Sequence, residues 1–171
     1  LSLLERDNWE FASRCNATDV VVIVAVTPAA EIVLVEQFRR PVNAPVIELP
    51  AGLVGDLDDP NESVLDAARR ELEEETGYTA ASLVTAMACP SSAGMTDEIV
   101  TFILATGLER VGTGGGDDSE DIRVHVVPLT EIDGWLLEKQ AQGTPLDPKI
   151  YAGLYWLRRP DSVGEAATTT R

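Results

Sequence analysis

The stretch RRELEEETGY, residues 69–78, places four glutamates between positions 71 and 75 and a glycine at position 77. Like charges spaced four residues apart destabilise a helix by about 0.2–0.5 kcal/mol per pair. A folded chain tolerates such a run in one of two ways. Either the acidic face is simply solvated, or a cation lies against it.

A helix is predicted around this acidic run. Apolar residues recur there at helical spacing and are expected to form its buried side: Val64, Leu65, Ala68 and Leu72. Gly77 is typical of the residue that ends a helix. At the other end, Asp59 is the predicted N-cap, with Pro60 at the first helical position and Glu62 closing a capping box.

The glutamates divide between two faces of that helix. At roughly 100° per residue, Glu74 and Glu75 lie within about 60° of Glu71, whereas Glu73 points elsewhere and is expected to be a surface charge. Three carboxylates on one face are hard oxygen ligands suited to Mg²⁺ or Mn²⁺. A cation there would remove the repulsion and bridge to a pyrophosphate. For the acidic run by itself, solvated surface is the commoner alternative.

Composition narrows the possible classes of protein. The chain has 171 residues, of which 44% are hydrophobic and 25% are charged, as in a single globular domain. Its net charge of −16 argues against unaided binding to nucleic acid or to an anionic membrane. No apolar run approaches a membrane span, and no signal peptide is visible. Cys15 and Cys89 are too few for a disulfide framework, so a cytoplasmic location is expected.

Strands are predicted on both sides of the helix. A strand or hairpin at 6–16 carries an aromatic pair, and the segment at 20–26 is apolar throughout, as in a strand buried on both faces. Further strands are expected at 31–38, 46–52, 81–89, 98–108 and 121–129, and helices at 130–143 and 147–159. Residues 112–120, GTGGGDDSE, are expected to form a mobile loop. This order predicts a mixed α+β sandwich rather than a regular βαβ series.

These segments resemble the Nudix hydrolases, whose pattern is G-x5-E-x7-R-E-U-x-E-E-x-G-U, where U is a bulky aliphatic or aromatic residue. Glu62, seven further residues and RELEEETGY fit the second part at every required position. The first part departs from the pattern, because nine residues rather than five separate Gly52 from Glu62. NWEFASR, VEQFRRPV, IELPAGLV and SEDIRVHVVPL resemble segments of the ADP-ribose and nucleotide-sugar pyrophosphatases of that family.

The resemblance implies a Nudix-type α/β/α sandwich with a mixed sheet, preceded by an N-terminal β segment. We expect that segment at residues 1–18, the Nudix domain at 19–160 and a disordered tail at 161–171. In the similar enzymes the N-terminal segment often reaches the other subunit. A homodimer is therefore implied, with this segment exchanged or packed across the interface.

The resemblance also implies a site for Mg²⁺, or for Mn²⁺, with two or three ions bound. The implied ligands are one backbone carbonyl and three carboxylates, namely those of Ala51, Glu71, Glu74 and Glu75. The remaining motif positions are structural, namely Gly52, Glu62, Arg70 and Gly77. Among these, Glu62 is expected to orient Arg70 rather than to bind metal.

The resemblance further suggests a base and substrate contacts. Glu120, on the loop before the last strand, is the expected base for the attacking water, although it is also one acid in an acidic loop. Glu98 is the second candidate and is otherwise expected to contact the substrate. Arg14 and Arg39 match positions that contact the diphosphate or the base, the alternative being surface ion pairs. Trp9 matches a tryptophan that stacks on the nucleobase, the alternative being a core residue.

The implied reaction is Mg²⁺-dependent hydrolysis of ADP-ribose, or of a related nucleoside diphosphate sugar, to a nucleoside monophosphate and a sugar phosphate. Glu71, Glu75 and Glu120 are its expected catalytic residues. Ala93 stands where the ADP-ribose enzymes usually carry a proline, so GDP-mannose or a broad range of nucleotide sugars stays open as substrate. A non-catalytic nucleotide-binding regulator and an acidic scaffold are alternatives of a different class.

Two other features are expected to be structural. The GTGGG run lacks the Lys-Ser/Thr pair that follows the glycines of a P-loop. His125 lies between Val124 and Val126 on a predicted strand, where a structural role is expected.

Overall fold

A mixed β-sheet with helices on both faces forms the fold of the computed structural model, which describes residues 1–17, 19–55, 61–116 and 121–159. Nine strands lie in this part of the chain: β1 Ser2–Arg6, β2 Trp9–Ser13, β3 Asp19–Val26, β4 Glu31–Arg39, β5 Ala44–Glu48, β6 Ala51–Val54, β7 Tyr78–Pro90, β8 Ile99–Arg110 and β9 Ile122–Pro128. The same residues form three helices: α1 Val64–Thr76, α2 Ile132–Ala141 and α3 Lys149–Leu157.

The seven-stranded sheet consists of two wings that share a short junction. In the first wing, β3 pairs in parallel with β8 and antiparallel with β6, and β7 pairs with β8. In the second wing, β4 pairs antiparallel with β5 and β9. The wings meet where Ala25 and Val26 of β3 pair with Val33 and Ile32 of β4. Beyond this junction β3 and β4 separate, and β5 and β6 pair with their facing edges.

The alternation of side chains on β3 divides the core between the two faces of the sheet. Val21 and Ile23 belong to the cluster that includes Leu72 of α1. Val22 and Val24 belong to the cluster on the other face, which receives α2 and α3. All four valine and isoleucine side chains are at most 1% exposed, so the prediction of a strand buried on both faces is confirmed.

A strand or hairpin was predicted at 6–16; the N-terminal segment forms a hairpin that begins earlier, as a separate two-stranded sheet of β1 and β2. Asp7 and Asn8 turn it with φ values of 54° and 65°, which are typical of a tight hairpin turn. The hairpin joins the rest of the chain through the Ala12 amide, which donates to the Met95 carbonyl at 2.8 Å. The domain division at residue 18 stays a prediction, and residues 161–171 lie outside the described part of the chain.

Helix α1 begins later than the sequence predicted. Its N-cap is Ser63, whose hydroxyl accepts from the Asp66 amide at 3.2 Å and donates to the Asp66 carboxylate at 2.7 Å. The prediction of Asp59 as N-cap with Glu62 in its capping box is therefore wrong, because Glu62 bonds instead to Arg70 and to the Gly55 amide. Asp59 itself lies outside the described residues.

The C-terminal stop of α1 was predicted correctly, whereas one of its predicted core residues is exposed. Gly77 ends the helix with φ 72°, as predicted. Leu65 is 41% exposed, which contradicts its expected burial. Leu65 lies on the same face of the helix as Leu72. It is in the first turn, however, where Val64 packs against the core in its place.

Pro50 divides the strand that was predicted at 46–52. The chain leaves β5 at Glu48 and begins β6 at Ala51, because a proline has no N–H to give to a strand ladder. The Pro50 carbonyl accepts from the Ile23 amide at 2.8 Å. The chain thereby passes from the edge of β4 to the edge of β3. The other predicted strands and helices are confirmed, with ends shifted by a few residues.

Residues 112–116 form no helix or strand, as expected for a loop, and backbone hydrogen bonds hold them against the end of α1; the mobility of this loop stays a prediction. The amides of Gly115 and Gly116 donate to carbonyls of α1 at 2.9 and 3.0 Å. Residues 117–120, the remainder of that prediction, lie outside the described part of the chain. Among the described helices, none is long and apolar enough to cross a membrane.

Candidate active site

The acidic residues of α1 occupy three different environments. Glu75 is buried, with 3% of its surface exposed. The side chain of Glu71 is 12% exposed and that of Glu74 is 49% exposed. Glu73 is exposed on another side of the helix. The buried carboxylates need partners, because an ionised group removed from water is costly unless it is bonded.

Arg70 supplies most of those partners. Its guanidinium donates to the Glu62 carboxylate at 2.9 and 3.1 Å and to Glu71 at 2.7 Å. It also donates to Glu74 at 3.2 Å and to the Leu53 carbonyl at 3.0 Å. The single guanidinium of Arg70 thus holds three carboxylates and ties α1 to β6. Its one positive charge leaves these groups with a net negative charge.

The Glu62–Arg70 pair shifts the titration of both groups. The Arg70 hydrogen bond is the largest cause that lowers the pKa of Glu62 from its ordinary value of 4.5, and the Gly55 amide lowers it further. Burial acts in the opposite direction but does not outweigh them. Glu62 in turn raises the pKa of Arg70. Both groups are therefore charged at neutral pH.

Strand β6 lies directly against the carboxylates. The Ala51 amide donates to the Glu75 carboxylate at 3.0 Å. At Gly52 an added Cβ would lie 1.9 Å from Cδ of Glu71, so this glycine is required for the close approach of the two elements. The structure therefore brings together residues that lie far apart in the sequence, at the start of β6 and near the end of α1.

The donor set suits a hard divalent cation. Glu71, Glu74 and Glu75 offer only oxygen ligands, and the space beside Gly52 is taken by the Glu71 carboxylate itself rather than by a side chain at position 52. Among the described residues, no three His, Cys, Asp or Glu side chains converge closely enough to form a ready-made metal site. Arg70 instead joins Glu71 to Glu74.

Two of the predicted substrate contacts meet one another. Arg14 donates to the Glu98 carboxylate at 2.5 Å, just beyond the N-terminal hairpin and just before β8. The Trp9 indole N–H donates to the Gly94 carbonyl at 3.3 Å, and the residue is 63% exposed rather than part of the core. The hairpin therefore presents an aromatic face and an ion pair beside the 91–98 loop.

Arg39 has a partner that the sequence reasoning missed. Its guanidinium donates to both oxygens of Glu48, at 2.9 and 2.5 Å. Glu48 is only 6% exposed, so this pair fixes the direction of the arginine at the end of β4. The available signal was an acid within VIELP, an otherwise apolar strand segment.

The two remaining candidates are placed differently. Glu120, the expected base, lies outside the described residues. His125 lies 2.7 Å from Glu36 and edge-on to Trp135, with ring centroids 5.1 Å apart. These neighbours lie on the sheet face that receives α2, on the other side of the sheet from the carboxylates of α1.

Comparison with known proteins identifies the family. A family profile described as NUDIX domain matches residues 17–153. The chain belongs to the Nudix family. The matched range contains all of α1 and β6, so the family resemblance and the expected sandwich with a mixed sheet are both confirmed.

Two relatives of this Nudix chain carry different names. It is 43% identical over 113 residues to the ADP-ribose pyrophosphatase of Bacillus subtilis, covering 66% of this chain and 58% of that protein. It is 37% identical over 110 residues to the methanol dehydrogenase activator of Bacillus methanolicus, covering 64% of this chain and 57% of that protein. The match thus spans somewhat more than half the length of each relative.

A solved structure supports the Nudix fold independently. The crystal structure of an ADP compounds hydrolase superposes with a TM-score of 0.67, covering 82% of this chain and 70% of that one. The sequence identity is 22%, so the similarity establishes the fold alone.

Proposed function

We propose that this Nudix protein hydrolyses the pyrophosphate bond of ADP-ribose, or of a related nucleoside diphosphate sugar, with Mg²⁺ or Mn²⁺. The products are a nucleoside monophosphate and a sugar phosphate. The observation that carries the proposal is the placement of Glu75 against Ala51 and of Glu71 against Gly52 near the end of α1, with Glu74 joined to Glu71 through Arg70. The B. subtilis relative named for ADP-ribose supports this choice of substrate.

The carboxylates of Glu71, Glu74 and Glu75 and the Ala51 carbonyl would hold two or three metal ions. Once bound, the ions neutralise the diphosphate and polarise its phosphoryl oxygens. Arg70 holds the carboxylates of Glu71 and Glu74, and Glu62 holds Arg70 in turn. Arg14 and Arg39 are the proposed contacts for the remaining phosphate charge, in a chain whose net charge is −16.

The reaction requires a base for the attacking water. The water oxygen bonds to one phosphorus, the bridging P–O bond breaks towards the leaving phosphate, and the water proton passes to a carboxylate. Glu120 remains our proposed base. The alternative, Glu98, already accepts a hydrogen bond from Arg14 at 2.5 Å, and this pairing favours a role in positioning Arg14.

The N-terminal hairpin is the proposed dimer contact and nucleobase platform. Trp9 exposes its ring, and Leu3 and Leu4 are 73% and 44% exposed on the neighbouring strand. An exposed apolar hairpin of this kind suits a second copy of the chain.

Cys15 and Cys89 are free thiols, in agreement with the cytoplasmic location that we propose.

The test is a substrate panel with Mg²⁺: ADP-ribose, GDP-mannose, UDP-glucose and a dinucleoside polyphosphate, with the products identified. Glu75→Gln and Glu120→Gln are each expected to lower kcat by about 100-fold or more. Glu73→Gln is the matched control, because Glu73 is exposed on the same helix, and it should retain wild-type activity. Turnover of no compound by the wild type would refute the hydrolase proposal.

A second candidate is a regulator that binds nucleotide without turnover, since one relative is named as an activator of another enzyme. In that case calorimetry would show metal-dependent binding of ADP-ribose, while no member of the panel would be hydrolysed. A preference for GDP-mannose would instead retain the chemistry and change only the sugar nucleotide.

A further inference from the structure

The segment Gly112–Gly116, here called the glycine segment, docks on the C-terminal end of α1. The amide of Gly115 donates to the Glu75 carbonyl at 2.9 Å, and the amide of Gly116 donates to the Glu74 carbonyl at 3.0 Å. The amide of Gly112 donates to the Gly77 carbonyl at 3.0 Å. The two residues whose carbonyls it binds on the helix are also two of the proposed metal ligands.

These hydrogen bonds satisfy groups that a helix end normally leaves unpaired. The last carbonyls of a helix have no partner within it, and their partial negative charge opposes nearby carboxylates. The last turn of α1 carries no basic residue to offset that charge. Backbone N–H groups from the glycine segment take this role, and they need no side chain to do so.

The approach of the two backbones leaves no room for a Cβ. Gly114 has φ +66°, and an added Cβ would lie 2.4 Å from the Thr76 carbonyl carbon and 2.7 Å from the Glu75 oxygen. At Gly77, with φ +72°, a Cβ would lie 2.4 Å from the Gly112 oxygen. Both positions therefore require glycine for conformation and for space.

Glu75 is consequently held at both ends. Its carbonyl accepts from Gly115, and its carboxylate accepts from the Ala51 amide at 3.0 Å. A shift of the helix end would move the backbone of Glu75 relative to β6 and would misplace the carboxylate. Groups that orient metal ligands typically alter metal affinity by about 10- to 100-fold when they are removed.

We propose that the glycine segment is a positioning element, with Gly114 as its central residue, that sets the affinity of the α1 carboxylates for a divalent cation. The inference rests on the proposed function, because it takes Glu74 and Glu75 to be metal ligands. It assigns to GTGGG a role other than phosphate binding, through contacts made by backbone alone.

The first test compares Gly114→Ala with Gly107→Ala. Gly107 has φ +65°, and its added Cβ would lie 2.8 Å from Cβ of Ala81 on β7, so it imposes a similar strain away from α1. Binding of Mn²⁺ alone is measured by calorimetry, and stability by thermal unfolding. Both variants should lower Tm, but only Gly114→Ala should weaken Mn²⁺ binding, by about 10-fold or more.

The second test uses the wild-type chain and does not depend on the folding of a variant. Amide hydrogen exchange is measured with and without Mn²⁺. If the segment and the cation are coupled, the coupling is reciprocal, and Mn²⁺ should slow exchange at Gly115 and Gly116. The amide of Gly143, which has φ +86° and no close neighbour at its Cβ position, should not respond.

The outcomes separate this inference from the proposed function. If the wild type binds Mn²⁺ and Gly114→Ala is folded with unchanged affinity, the positioning role is wrong and the hydrolase proposal stands. Unchanged exchange at Gly115 and Gly116 on Mn²⁺ binding would have the same meaning. A wild type that neither binds Mn²⁺ nor hydrolyses the substrate panel would overturn both.

Discussion

At the scale of single residues, Arg70 carries the positive charge that offsets the carboxylates around α1. The guanidinium contacts Glu62, Glu71 and Glu74, so three formal negative charges share one positive charge. Glu75 adds a fourth acid, with 3% of its surface exposed. Repulsion among such close groups favours a cation that reaches them, which is the physical reason for the metal site that we propose here.

A first prediction concerns Gly52→Ala. The new Cβ would lie within 2.3 Å of three Glu71 side-chain atoms, so either the carboxylate or β6 must move. We expect kcat to fall by about 10- to 100-fold through the displaced ligand. Gly134→Ala on α2 is the control, because its Cβ meets nothing within 4 Å. Wild-type kinetics in Gly52→Ala would show that Glu71 is not held at this contact.

A second prediction concerns pH. Arg70 lowers the pKa of Glu62 below 4.5, so the stabilisation is fully present above pH 4.5 and is lost as the pH falls through the folded-state value. Glu62→Gln should reduce the free energy of unfolding at pH 7 by about 1.5–3 kcal/mol. It should also flatten the loss of stability on acidification. Urea titrations from pH 7 to pH 3 measure both effects.

An unchanged pH slope in Glu62→Gln would contradict this assignment. Glu109→Gln offers a control for the removal of one negative charge, since Glu109 is exposed on β8. That variant should keep the wild-type dependence on pH. The difference between the two slopes isolates the contribution of the Arg70 pair.

At the scale of elements, helix α1 is fixed at three places. Ser63 caps its start, Leu72 is fully buried in its middle, and the glycine segment bonds its last turn. The mean position of the carboxylates therefore depends on tertiary contacts at both ends of the helix. Intrinsic helix propensity contributes little here, because most helical stability in proteins comes from packing.

A third prediction tests the observed N-cap. Ser63→Ala should lower the free energy of unfolding by about 1 kcal/mol, as expected for loss of a cap hydroxyl. Asp59→Ala, which removes the cap that the sequence suggested, should have a smaller effect. Chemical denaturation of both variants decides between them. A larger loss of unfolding free energy in Asp59→Ala than in Ser63→Ala would support Asp59 as the N-cap of α1.

At the scale of the whole molecule, the hairpin of β1 and β2 stands out from the sheet. It contacts the 91–98 loop through Trp9, Ala12 and Ser13, and Arg14, just beyond the hairpin, bonds to Glu98. All five residues of β1 are exposed. A strand of this composition gains stability when a partner covers it.

A fourth prediction follows for the oligomeric state. The wild type should be a dimer by light scattering, and Leu3→Asp should shift it towards monomer by at least about tenfold in Kd. Leu137→Asp is the control, because Leu137 is similarly exposed, at 66%, on α2. A wild type that is monomeric at all concentrations, or equal dissociation of both variants, would exclude the hairpin as the interface.

The sequence by itself determined the helix of acids, its glycine stop, the buried β3 strand and the family, because these depend on local spacing. Only the tertiary structure decided that Ser63 rather than Asp59 caps α1, that Glu48 holds Arg39, and that the glycine segment docks on Glu74 and Glu75. These contacts join residues distant in the chain and often involve backbone groups. Side-chain patterns do not encode which backbone N–H meets which carbonyl, so such contacts exist only once the sheet has brought the elements together.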